Sequence, residues 1–79
     1  MRARVIVTLK SGILDPQGKA IEGALRSLGV RKVEGVRQGK VFDVEIDSED
    51  EEAATRTLRE ACEKLLANLI VENFEISIG

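Results

Sequence analysis

The chain has 79 residues, 43% of them hydrophobic and 33% charged, with a net charge of −2. That length allows one domain, residues 1–79, with a thin core, and twelve basic against fourteen acidic side chains leave no electrostatic footprint for nucleic acid or an anionic membrane. One cysteine excludes an internal disulfide, the absence of histidine removes the commonest partner of a nucleophile, and no apolar run reaches the roughly 20 residues of a membrane span, so a cytoplasmic protein without a signal segment is expected.

Residues 3–9 alternate, with Ala3, Val5, Val7 and Leu9 on one face and Arg4, Ile6 and Thr8 on the other, which predicts a strand. Asp15 then suits an N-cap, and Pro16 suits the first helical position, where its missing N–H costs nothing. Ala20, Ile21, Ala24, Leu25 and Leu28 recur at helical spacing, and Gly29 follows as a stop, so a helix is predicted from about Pro16 to Leu28. Gly18 and Gly23 inside it have two open explanations: close packing on a sheet, or close approach of another chain.

From Val33 to Ile46 the period becomes two. Val33 and Val36 precede Arg37, Gln38, Gly39 and Lys40, which read as a hairpin turn, and Phe42, Val44 and Ile46 then share a face. Ser48 with Glu51 reads as a capping box for a second helix, its first turn loaded with acids and its apolar stripe formed by Ala54, Leu58, Ala61, Cys62 and Leu65. A last strand is predicted from about Ile70 to Ile78. The order β-α-β-β-α-β predicts an α+β, ferredoxin-like fold: a four-stranded antiparallel sheet with both helices on one face. Its open face would carry Ile6, Val41 and Val71 among charges, a place for a partner subunit.

Catalytic and ligand motifs fail one by one. Gly12 and Gly18-Lys19 are one residue too far apart for a phosphate-binding Walker loop, and Ala20 replaces its hydroxyl residue. Asp15 also places a negative charge at that helix start, so a capped helix is the better reading than an anion site. Cys62 lies on an apolar stripe and reads as an inert core thiol. The run Glu49, Asp50, Glu51, Glu52 is explained by the helix dipole, because adjacent helical positions do not converge. No catalytic, cofactor-binding or metal-ligating residue is therefore expected. With only Phe42 and Phe74 aromatic, an RNA-stacking version of the fold is disfavoured.

Three stretches nevertheless resemble a known family: VIVTLKSGILDPQGKAIEGALRSLG (5–29), VRQGKVFDVEID (36–47) and CEKLLANLIVENFEI (62–76). They are similar to PurS, the small subunit of formylglycinamide ribonucleotide amidotransferase, in order and spacing over essentially the whole chain. The resemblance implies a non-catalytic subunit in purine biosynthesis. It would bridge a glutaminase, PurQ, and an ATP- and magnesium-dependent synthetase, PurL, so that ammonia passes between them. ATP and magnesium would belong to the synthetase, and this chain would bind no cofactor. It also implies a homodimer, or a dimer of dimers. By motif position the partner-facing residues would be Lys10, Asp15, Gln17, Gly18 and Lys19 at the first helix start, Arg37, Gly39 and Lys40 in the hairpin, and Asn68. Leu69 stands where many members have proline, so the second helix is expected to run on or end less cleanly. A small-molecule-binding regulatory module of the ACT type shares the fold plan and stays as the alternative, whereas an acylphosphatase-like enzyme lacks its arginine after the first strand.

Overall fold

Alternation puts Ala3, Val5 and Val7 on one side of the first strand, and these three residues form the floor of the core. A computed structural model describes all residues, Met1–Gly79. In chain order it comprises β1 (Arg2–Leu9), α1 (Pro16–Ser27), β2 (Gly39–Glu45), α2 (Glu51–Ala61), a π-helical turn (Cys62–Leu66) and β3 (Glu72–Ile78). β1 is central, antiparallel to β2 on one side and β3 on the other. Val5 lies opposite Phe42 and Ile76, so the inner faces of all three strands coincide.

The amphipathic pattern of α2 brings Leu58 and Cys62 onto Val5 and Val7, all of them fully buried. Burying a leucine of this kind contributes roughly 1.5–3 kcal/mol, and Leu58 is the largest such side chain here. Arg59 lies over the Phe74 ring at 5.6 Å, which ties the helix to β3 by cation–π attraction as well.

Three expectations are corrected. The sheet has three strands, not four: residues 30–38 carry Val33 and Val36 but join no strand, and the Arg37–Lys40 hairpin does not form. The reason is competition for amides. The Val36 and Gln38 N–H groups donate to the Glu22 and Asp15 carboxylates instead of to β2. Second, only α2 packs along the sheet; α1 stands away from it, joined to residues 30–38 as a projecting arm. Its apolar stripe is correspondingly exposed, with Leu28 at 79%. The radius of gyration, 15.9 Å, exceeds the value of about 12 Å expected for a compact chain of this length.

Third, the α2 cap is Asp50, not Ser48. The Asp50 carboxylate accepts from the Glu52 amide at 3.1 Å, while Ser48 bonds the backbone of Asp50. Glu51 and Glu52 still load the positive dipole end. Leu69 does not prolong the helix, which ends in the π-helical turn; Ala67 is already extended. Other boundaries agree closely with the pattern. α1 starts at Pro16 behind an Asp15 cap, Gly29 takes φ +89° just beyond its end, and β3 starts two residues after Ile70.

Candidate functional site

The arm is built from three polar straps. Asp15 caps α1 by accepting from the Gly18 amide at 2.9 Å, and its second oxygen accepts from the Gln38 amide at 2.7 Å. These hydrogen bonds, Gln38 first and Gly18 next, hold the carboxyl below the usual carboxylate range, and the positive charge of Arg37 adds to the effect. Glu22, buried in the middle of α1, accepts from the Val36 amide at 3.2 Å, with Lys19 and Arg26 at 3.7 and 3.8 Å on the same helix. The Arg37 guanidinium donates to the Ile13 and Lys10 carbonyls at 2.8 and 3.1 Å and so fastens the β1–α1 turn.

Gly18 now has its explanation: a Cβ there would run into the Val36 carbonyl oxygen. The close approach is that of the chain's own strap, not of the sheet. Gly23 faces open space.

The nine residues singled out by motif position gather where the arm meets one end of the sheet. The Lys10 amide donates to the Val71 carbonyl at 2.8 Å, which brings the turn after Asn68 beside the end of β1. That turn is held by Asn68 itself, whose side chain accepts from the Ile70 amide and whose amide donates to Glu72 at 2.7 Å. Lys40 approaches Glu72 at 3.9 Å across β1. A recess of about 340 Å³ lies between this pair and the α1 start, lined in part by Asp15, Gln17, Gln38, Gly39 and Lys40.

Their exposures separate two roles. Asp15 and Gly18, expected to face partners, are buried in the chain's own fold and hold its shape. Gly39 is exposed but close-packed on one side: a Cβ there would lie 2.8 Å from the Val7 carbonyl oxygen. Gln17, Lys19, Arg37, Lys40 and Asn68 are exposed, and Lys10 is half-buried. Sequence reasoning missed Glu22, Gln38 and Glu72. Glu22 could have been found, since it falls in register with Gly18 and Leu25 on a single helical face. The role of Gln38 is played by its backbone amide and leaves no side-chain signature.

Chemically, the region is a mixed-charge surface whose buried polar atoms are all partnered. Cys62, the one thiol, is buried elsewhere, and burial pushes its pKa up.

Comparison with known proteins agrees on a family. The family model for PurS, phosphoribosylformylglycinamidine (FGAM) synthase, matches residues 2–79. The PurS subunit of phosphoribosylformylglycinamidine synthase from Mycobacterium leprae is 46% identical over 96% of this chain and 92% of its own length. The crystal structure of Methanocaldococcus jannaschii PurS, a subunit of formylglycinamide ribonucleotide amidotransferase in the purine biosynthetic pathway, superposes with a TM-score of 0.87 at 41% identity, covering 96% of this chain and 92% of that one. A chain in the structure of PurLQS from Thermotoga maritima gives a TM-score of 0.88 at 34% identity, covering 96% and 93%. The likeness thus holds in sequence and in backbone along nearly the whole length, and the chain belongs to the PurS family of FGAM synthase subunits.

Proposed function

We propose that this chain is the bridging small subunit of an FGAM synthase, joining a glutaminase to an ATP-dependent synthetase so that ammonia released from glutamine reaches the amidation site. The observation that carries this reading is full-length membership of the PurS family together with the match to a chain of PurLQS. A small-molecule-sensing role then has nothing specific in its favour. In this reading the chain works in the cytoplasm, is a homodimer, binds no cofactor itself, and leaves ATP and magnesium to the synthetase.

The partner-facing surface is the junction of arm and sheet described above, with Lys10, Gln17, Lys19, Lys40 and Asn68 making contacts. Asp15, Gly18, Gly39 and Arg37 give that surface its shape. Mixed charge and exposed polar side chains are what a specific but non-obligate interface uses for orientation.

The test is glutamine-dependent formation of formylglycinamidine ribonucleotide by the cognate synthetase and glutaminase, with and without this chain. Ammonia-dependent activity of the synthetase alone is the control. The expected result is that glutamine supports turnover only when the chain is present, while ammonia works without it. Equal glutamine-dependent rates with and without the chain would overturn the bridging role.

A further inference from the structure

We infer that the free edge of β3 takes an extended, acid-bearing segment of a partner subunit as an added strand, the subunit being the one that docks at the junction of arm and sheet. The inference rests on the bridging role proposed above and names a contact which that role uses.

β3 is bonded on one side only. Its register with β1, bracketed by the Lys10 to Val71 and Gly79 to Arg2 hydrogen bonds, turns the N–H and C=O groups of Asn73, Glu75 and Ser77 toward β1. Those of Phe74, Ile76 and Ile78 therefore face outward, where the sheet ends. Natural sheet edges are blunted by proline, lysine, a bulge or an inward-pointing charge. Residues 72–78 contain neither proline nor lysine, and the pairing with β1 runs unbroken from Leu9–Glu72 to Ala3–Ile78. The inward side chains are Phe74, Ile76 and Ile78, all apolar. Nothing on this strand wards off another.

A recess of about 780 Å³ runs beside that edge, bounded by Thr55 and Arg59 of α2, by Phe74 and Ile76, and at one end by Lys10 and Leu69. A helix and an edge strand flanking a groove let an added strand gain main-chain hydrogen bonds while its alternate side chains enter the groove. A segment of about five residues spans the edge from Phe74 to Ile78 at strand spacing.

Charge sets the chemistry of that segment. Neither Arg59 nor Lys10 has a carboxylate within ion-pair distance in this chain. The Arg59 guanidinium lies over the Phe74 ring, at the wall of the recess. The acidic side chains nearby do not answer it: Glu72 is taken by Lys40 and the Asn68 amide, and Glu75 stands on the outer face of the sheet. An aspartate or glutamate placed opposite Phe74 supplies the missing partner.

Position selects the occupant. Lys10 belongs both to this recess and to the partner-facing surface, and Leu69 adjoins Asn68, so a subunit docked there reaches the start of the β3 edge. A second copy fits less well. A homodimer joined through any other surface presents the edge twice, and self-pairing there would extend an open chain of dimers, whereas a partner's segment ends the sheet.

The test is hydrogen exchange of the full-length chain, read by fragment mass spectrometry, free and in complex with the cognate synthetase and glutaminase. The expected result is that the Phe74, Ile76 and Ile78 amides exchange fast in the free chain and become protected in the complex. Unchanged exchange in a complex that supports glutamine-dependent turnover would overturn the strand addition and leave the bridging role standing. Failure of the chain to join either subunit would overturn both. Protection that appears in the chain alone as its concentration rises would put a second copy on the edge and overturn the inference. Two variants check the contact. Ile76→Pro removes an outward N–H and no bond to β1, and Arg59→Glu reverses the charge of an exposed side chain. Each is expected to raise the chain concentration for half-maximal glutamine-dependent activity about tenfold, the Arg59→Glu effect shrinking at high salt. A parent-like titration by Arg59→Glu would overturn the inference, whether or not Ile76→Pro folds.

Discussion

Asp15 and Gln38 are 23 positions apart in the chain, yet the Asp15 carboxylate accepts the Gln38 backbone N–H at 2.7 Å. The same carboxylate caps α1 through Gly18, so one side chain both starts the helix and fixes the path of the chain that returns from it. A local capping residue thereby decides a tertiary question, namely which edge residues 36–38 adopt.

The folded-state pKa of Asp15 lies below its ordinary value of 3.8, chiefly because the Gln38 and Gly18 amides donate to the charged form. A carboxyl lowered on folding adds stability above its unfolded pKa, and that stability is lost as pH falls through the folded value. The expected outcome is a urea midpoint that drops below about pH 4 in the native sequence. Asp15→Asn should lower the midpoint at neutral pH and flatten the acid side of the curve. Asp43 and Glu60, lowered by Arg4 and Lys64, supply the same background to both proteins. Parallel acid-side losses in the two would show that Asp15 is not the titrating strap.

Two glycines of one helix should respond oppositely to alanine. Gly18→Ala sets a Cβ against the Val36 carbonyl oxygen, and overpacking of this kind costs about 1–3 kcal/mol. Gly23→Ala meets nothing within 4 Å and should stabilise the chain by about 0.4–1 kcal/mol through the unfolded state. Denaturant titrations of the two variants give the comparison directly. A Gly18→Ala protein as stable as the parent would mean that the strap does not pass beside Gly18.

Legibility in the sequence followed the range of the interactions. β1 and α1 could be read because alternation, the Asp15-Pro16 start and the Gly29 stop are local instructions. The inner face of β2 was legible for the same reason. The fourth strand was read from Val33 and Val36 ahead of the turn signal at Arg37–Lys40, but apolar residues name a surface to be buried and not the partner that buries it. Which partner wins depends on Glu22 and Asp15, 14 and 23 residues away from the amides they capture. The shift of the cap to Asp50 is a subtler case: Ser48 and Asp50 are both good caps, and Ser48 is occupied by the Asp50 backbone. The motif residues of the candidate surface clustered in space, yet motif position could not separate Asp15 and Gly18, which shape that surface, from Gln17 and Lys19, which lie on it.

Cys62 tests the core independently. It is fully buried against Val5, Val7 and Leu58, and desolvation pushes its thiol pKa up. Because the thiolate is the reactive form, the native protein should react with a disulfide reagent only as fast as it opens, and with one equivalent in denaturant. Fast stoichiometric labelling of the native chain would place the α2 packing in doubt.

The candidate surface makes the most direct functional prediction. Gln17 and Lys19 are exposed at the start of α1, and Lys19 is held only by a 3.7 Å approach to Glu22 on its own helix. Neither side chain supports the core, so Gln17→Ala with Lys19→Glu should leave the melting temperature close to that of the parent. Reversing a charge at the rim of an interface changes association more than folding. The double variant should therefore weaken assembly with the synthetase and glutaminase, seen as a higher concentration of this chain for half-maximal glutamine-dependent activity. Activity at saturating chain should recover, because the substitutions act on docking. A variant that folds normally and titrates like the parent would move the docking surface to another face of the molecule.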